Sequence, residues 1–256
     1  MQEIFCQKSI LSKRQRFAHA DKSHYLLLYK IYDILLECIS GKFEKVLNFA
    51  AHRGEILECL ESSDVSFIDT LHCDMSEAML KNISGKTLKV DAHQMPFLDG
   101  QFDLFISAMT LHQVNDLAKF VSEASRILKP KGIFVANMFG PKTLWQLKQS
   151  IFGLEGREGV MTRVFPFIDI KQAGMLLQRS GLKMPVVFSE EVNIEYPSVF
   201  QLLKDIQSMA QSCTLKKRSR GLSTKRTIDN IIAGYESLCK NKITATFELI
   251  FMTGLK

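Results

Sequence analysis

Three places in this chain put polar residues directly after a short apolar run, where a sheet would present them to a ligand. The first is Leu47-Asn48-Phe49-Ala50-Ala51-His52-Arg53-Gly54, the second Asp74-Met75-Ser76 and the third Val90-Asp91-Ala92. A carboxylate can accept two hydrogen bonds at once, which suits the paired hydroxyls of a ribose. Asp74 is placed for that role, with Asp69 as a competitor should the strand end sooner. Asp91 suits the exocyclic amine of an adenine, with the Ala92 backbone serving the ring. Aspartate after a strand also caps helices, so each has an ordinary structural use as well. His112 lies just past a fourth apolar run and suits a general base or a group that orients an acceptor; a structural hydrogen bond at the strand end is the alternative.

These positions gain meaning from the elements that must carry them. Tyr25 to Ile39 has helical spacing and stops at Ser40-Gly41. Then come a strand from Phe43 to Ala50, a helix from Arg53 to Glu61, and a strand from Val65 to Asp74. A helix from Ser76 to Asn82 follows, with Ser76 as its N-cap, and then a short strand from Thr87 to Asp91. Phe102 to Met109 is almost wholly apolar, as in a buried parallel strand. Leu117 to Leu128 is an amphipathic helix, and Pro130-Lys131-Gly132 turns the chain into a strand from Ile133 to Met138. Strand and helix alternating at this spacing predict an α/β fold, an open, mostly parallel sheet covered on both faces. Beyond Gly140 helices are expected at 143–152, 168–180, 199–211 and 227–240, with alternating strands from Pro185 to Tyr196 and from Thr244 to Leu255. Those two strands should pair at the sheet edge, with a helical lid between them.

The expected organisation is an N-terminal helical segment (1–40), a core (41–196), a lid insertion (197–242) and a returning strand (243–256). Lys216, Lys217, Arg218 and Arg220 would ride in the lid as a mobile basic loop near a pocket mouth. Lys13-Arg14-Gln15-Arg16 reads as a solvated basic helix or loop. The net charge of +6 hints at an acidic partner, but neither basic run is interleaved with aromatics, so nucleic acid is not favoured. No apolar run reaches the ~18 residues of a membrane span, and the N-terminus lacks a signal-peptide core, so the chain reads as cytoplasmic. The six cysteines (Cys6, Cys38, Cys59, Cys73, Cys213, Cys239) lack zinc-type spacing and read as reduced packing residues; no metal site is expected.

The run Asp91-Ala92-His93-Gln94-Met95-Pro96-Phe97, then Phe102 to Ser107, Leu111-His112-Gln113-Val114-Asn115-Asp116 and Arg126 to Gly132, resembles the middle block of class I S-adenosylmethionine-dependent methyltransferases. Within that superfamily the chain resembles the malonyl-carrier-protein methyltransferases and, still more, a methyltransferase-like assembly factor for respiratory complex I. The segments Phe5, Lys13 to Arg16, Glu195 to Leu202 and Phe247 to Lys256 carry the second likeness. The resemblance implies a Rossmann-like seven-stranded sheet and S-adenosylmethionine held by Asn48, Ala50, Gly54, Asp74, Met75, Asp91, Ala92, Ser107 and Ala108. It makes His112 and Tyr25 the catalytic candidates, Tyr25 because an N-terminal helix often covers the pocket in this superfamily.

The first loop departs from the family pattern. An acidic residue and alternating glycines are replaced by Asn48, Ala50 and His52, and only Gly54 remains, so a Cβ and an imidazole are expected to crowd the cofactor. Two functions of different class follow. One is a methyltransferase acting on a small molecule, a carrier-linked acyl group or a protein side chain. The other is an assembly factor that holds a respiratory-complex subunit without methylating it, or, as the resemblance also implies, takes part in hydroxylating an arginine of that subunit.

Overall fold

A computed structural model describes residues 3–20, 26–218, 224–239 and 242–256. Seven strands form one sheet: β1 (Gly41–Phe49), β2 (Val65–Asp74), β3 (Lys86–Lys89), β4 (Phe102–Ser107), β5 (Leu128–Phe139), β6 (Lys183–Tyr196) and β7 (Ile243–Leu255). Their spatial order is β3-β2-β1-β4-β5-β7-β6, with β7 alone antiparallel to both neighbours. Order reverses between β1 and β4, which run side by side and parallel. In an open α/β sheet this is where a ligand binds, at the carboxyl ends of the strands.

The apolar character of β4 has a direct cause. Leu104 and Ile106 enter one core layer with Val46 and the helix α2 (Leu26–Glu37), while Phe105 enters the other. With helices on both faces, neither side of the strand can be polar. On the second face Phe49, Phe105 and Phe134 stack at centroid distances of 5.8 and 5.5 Å across three adjacent strands. Phe120 of α5 (Leu117–Ile127) meets the first two edge-on. α7 (Ile170–Arg179) covers the same face and begins with a capping box between Asp169 and Gln172.

Local signals fixed several element ends. Ser76 caps the short α4 (Glu77–Leu80), its Oγ accepting from the Met79 amide at 3.4 Å, as its position predicts. β2 ends at Asp74, which leaves Asp69 mid-strand in an exposed pair with Lys86 at 2.7 Å. α3 (Ile56–Leu60) is shorter than expected, because residues 50–54 are spent on a loop with positive φ at Ala50, His52 and Gly54. β3 ends at Lys89, so Asp91 lies in the turn beyond it, bridged to Gln94.

β6 and β7 pair along nearly their whole length at the sheet edge, as expected. Between them lie α8 (Val199–Ser208) and α9 (Lys225–Leu238), the latter packed on α6 (Trp145–Arg163), which is broken by a positive φ at Gly156. The basic run after α8 is more anchored than the sequence suggested. Leu215 is buried and bridges Phe5, and the Lys216 amide donates to the Ile4 carbonyl at 2.8 Å. The side chains of Lys216 and Lys217 remain exposed, and Arg220 lies outside the described residues. All six cysteines are free thiols.

Candidate active site

The residues at the switch point converge on Asp74, and the N-terminus reaches it too. Helix α1 (Gln7–Phe17) turns one stripe, Gln7, Ile10 and Arg14, toward the carboxyl ends of the strands, with Ile10 and Arg14 buried. Reading Lys13 to Arg16 as solvated is therefore wrong for Arg14, which is 3% exposed. The stripe follows helical spacing, and of the four cationic residues of α1 only Arg14 is buried; Lys13 is half-buried against the Cys213 carbonyl. Arg14 Nη1 donates to Asp74 Oδ2, and Nη2 donates to Thr110 Oγ1 at 3.1 Å.

Asp74 is fully engaged. Besides Arg14 it accepts from the Ser76 amide at 2.9 Å and from the His52 amide at 3.3 Å. Burial pushes its pKa up, and the Arg14 charge with these donors pulls the other way. A buried charge is tolerated only when paired and hydrogen-bonded, and Asp74 satisfies that rule without any ligand.

The loop over β1 keeps a glycine-type path without glycines. Ala50 has φ 56° and His52 has φ 51°, ahead of Gly54 at 85°. For residues with a Cβ the left-handed region costs about 1–2 kcal/mol each. The His52 ring is buried, its Nε2 lies 3.3 Å from the Ala108 carbonyl, and burial holds its pKa well below the usual histidine value, so it is neutral. The expected crowding is thus observed: the imidazole crosses the gap between the ends of β1 and β4.

A slot remains beside it. Phe49, Ala50, Met75, Val90, Ala92 and Val114 contribute to a cavity of about 30 Å3, which Ile10 and Arg14 close from above. Ala92 and Met75 line this slot as the sequence suggested. Asp91 is turned outward, its Oδ1 accepting from the His93 amide at 2.9 Å and contacting His93 Nδ1 at 2.8 Å. Asn48 and Ser107 are fully buried at the ends of β1 and β4. Asn48 Nδ2 lies 3.1 Å from His72 Nδ1, while Asn48 Oδ1 and Ser107 Oγ have no partner among the described residues.

His112 lies in a buried 3-10 turn, Leu111–Gln113, past the end of β4. Its Nε2 meets Gln211 Oε1 at 2.9 Å, an acceptor only, so the ring proton sits on Nε2 and the lone pair on Nδ1. Gln113 Nε2 donates to the same oxygen, and Gln211 Nε2 donates to the Met109 carbonyl at 3.0 Å. Phe139, Phe165 and Phe167 surround the imidazole at 4.8, 5.7 and 5.8 Å. Burial lowers its pKa to about 4, which makes it neutral at pH 7 and a weak base. The same phenylalanines line an apolar cavity of about 150 Å3, roofed by Leu203, Ile206 and Met209. Tyr25 lies outside the described residues. Sequence reasoning missed Arg14, Thr110, Gln113 and Gln211. Only Arg14 carried a local signal, its four-residue spacing from Ile10.

The comparisons with known proteins bear on this arrangement. Residues 47–136 match the family model described as a methyltransferase domain, the stretch from β1 to β5. The chain is 31% identical to "Arginine-hydroxylase NDUFAF5, mitochondrial" of Mus musculus, over 89% of this chain and 67% of that protein. This chain belongs to the class I S-adenosylmethionine-dependent methyltransferases. Malonyl-[acyl-carrier protein] O-methyltransferase 1 of Coxiella burnetii is 30% identical, over 70% of this chain and 62% of its own. The chain thus spans about two thirds of the length of these relatives. Among solved structures, the YcgJ protein from Bacillus subtilis superposes with a TM-score of 0.61 at 13% identity, covering 89% of this chain and 98% of the other; that likeness speaks to the fold.

S-adenosylmethionine is the cofactor of this methyltransferase family, and the donor set fits it. Two orphaned buried oxygens, a carboxylate at the end of β2 and an apolar slot at the end of β3 match a molecule with an ammonium, a ribose and an adenine. The space, by contrast, is restricted by Arg14 and His52. Among the described residues no helix is long and apolar enough to cross a membrane.

Proposed function

We propose that this methyltransferase transfers a methyl group to an acceptor seated in the apolar cavity beside His112, and that α1 must withdraw Arg14 before the cofactor is held. The observation that carries this reading is the convergence of Asp74, the residue 50–54 loop and His112 on one end of the sheet, with a second cavity next to His112. Asp74 would hold the ribose hydroxyls, Ala92 and Met75 the adenine, and Asn48, Ala50, Gly54, Ser107 and Ala108 the methionine end. Bound there, the cofactor supplies an electrophilic methyl on a sulfonium. What the chain's own residues contribute is alignment and exclusion of water, effects worth several kcal/mol without a dedicated base. His112, neutral with its lone pair on Nδ1, orients an acceptor N–H or O–H and does not deprotonate it at neutral pH. Residues 197–242 would act as the lid over the acceptor.

A second reading is favoured by two observations, the 31% identity with an arginine-hydroxylase relative over 89% of the chain and a cofactor loop packed shut. On it, the protein holds a respiratory-complex subunit or supports its arginine hydroxylation. The expectation of a cytoplasmic protein stands beside relatives whose names place them in mitochondria, and cell fractionation separates the two.

The test is calorimetric titration with S-adenosylmethionine and S-adenosylhomocysteine, on the wild type and on Asp74→Asn, with thermal melts to show that both are folded. Binding in the wild type that Asp74→Asn loses supports the first reading. No binding at millimolar ligand removes it and leaves the second.

A further inference from the structure

The face of α1 beside its inward stripe carries Lys8, Ser12 and Arg16, four residues apart and hence stacked along the helix, with Lys13 adjacent. Together with Arg218 these side chains line an open cleft of about 490 Å3, and among the described residues no carboxylate lines it. Among the described residues, Lys8 and Arg16 have no acidic partner. Lys13 Nζ donates one of its three protons to the Cys213 carbonyl at 2.5 Å, and burial with the like charge of Arg218 lowers its pKa to about 8. The first turn of α1 contains no acidic residue, and its N-cap, Cys6, makes no side-chain capping bond. The helix dipole therefore adds positive potential at the Lys8 end of the cleft, while Arg16 lies in the last turn, at the dipole's negative end. Cations gathered without counter-charge repel one another, and an anion among them relieves that cost.

Gln207 and Ser212 line both this cleft and the apolar cavity beside His112. The cavity's 150 Å3 equals the volume at which an engineered apolar cavity in another protein accepts benzene. A polar, cationic entrance thus abuts an apolar chamber of limited depth.

We propose that the cleft is a phosphate-binding site, taking a ligand whose anionic phosphate sits among Lys8, Lys13, Arg16 and Arg218 and whose short apolar arm passes Gln207 and Ser212 into the cavity beside His112. The phosphate half is independent of methyl transfer; only the view that the ligand is the acceptor rests on the function proposed above. Phosphate, and not carboxylate, fits because four separated donors can engage one group with several oxygens.

The experiment is calorimetry on the full chain without S-adenosylmethionine, so that its outcome does not depend on the cofactor site. Probes are inorganic phosphate, hexyl phosphate, hexanol and vesicles containing phosphatidic acid. Hexyl phosphate should bind about tenfold or more tightly than inorganic phosphate or hexanol, since each half contributes an independent contact. Lys8→Ala/Arg16→Ala, both surface changes, should weaken both phosphates by about tenfold and leave hexanol unchanged. Leu147→Trp, which fills the cavity, should abolish only the advantage of the hexyl arm. Equal affinity of the double variant and the wild type for hexyl phosphate would overturn the proposal. So would vesicle binding without hexyl phosphate binding, which would identify a membrane-facing patch and not a pocket.

Discussion

Removing Arg14 is the most informative single perturbation of this protein. In the present conformation the cofactor's ribose can reach Asp74 only by displacing a buried guanidinium that donates to it. Hydrogen bonds between charged groups contribute about 1.5–3 kcal/mol net. If that competition is what opposes the cofactor, Arg14→Ala should tighten S-adenosylhomocysteine binding by about 10- to 150-fold, at 1.36 kcal/mol per factor of ten. The same substitution leaves Asp74, 1% exposed, without its counter-charge. Breaking a buried pair in this way costs about 3–5 kcal/mol, so the variant should melt well below the wild type and recover part of the difference at saturating ligand. Calorimetric titration and ligand-dependent thermal melts, run on Arg14→Ala and the wild type side by side, read both numbers. Weaker binding in Arg14→Ala would refute the reasoning, because it would make Arg14 a cofactor contact and not a competitor.

Two further expectations follow from the same site. His52→Gly should relieve a left-handed residue and remove the ring that crosses the ends of β1 and β4; its cofactor affinity should rise, the about 1–2 kcal/mol of relieved backbone strain offsetting part of the cost of emptying a buried ring's place, and an affinity at or below wild type would show that the imidazole does not obstruct. His112 has a folded pKa of about 4, below its unfolded value near 6.5. The unfolded state therefore takes up the proton first, and the stabilisation, roughly 3 kcal/mol, is present at pH 7 and lost as pH falls from 6.5 toward 4. Denaturant midpoints measured across that range should fall less steeply in His112→Gln, and parallel profiles would place the titration elsewhere.

Much of the fold was legible because the relevant physics is local and periodic. Strand-helix alternation, the almost wholly apolar Phe102 to Met109 run, the Ser76 cap and the edge pairing of the last two strands all follow from pattern alone. The crowded loop was legible only through the family resemblance, which puts glycines where Ala50 and His52 stand; both occupy left-handed φ. The strand end at Asp74 was legible up to a choice between two aspartates, which registry with β1 and β3 decided in three dimensions.

What the sequence could not provide was the identity of partners across long separations. Arg14 and Asp74 are 60 residues apart, His112 and Gln211 99, and Asn115 fixes the amide of Phe5 from 110 residues away. A charged run reads as solvated because ionic side chains prefer water, and that preference is reversed for one arginine only when a buried carboxylate faces it. The pattern of residues determined where the sheet and its ligand-facing loops would lie; only tertiary packing decided which charge met which, since desolvated pairing depends on geometry that no local spacing encodes.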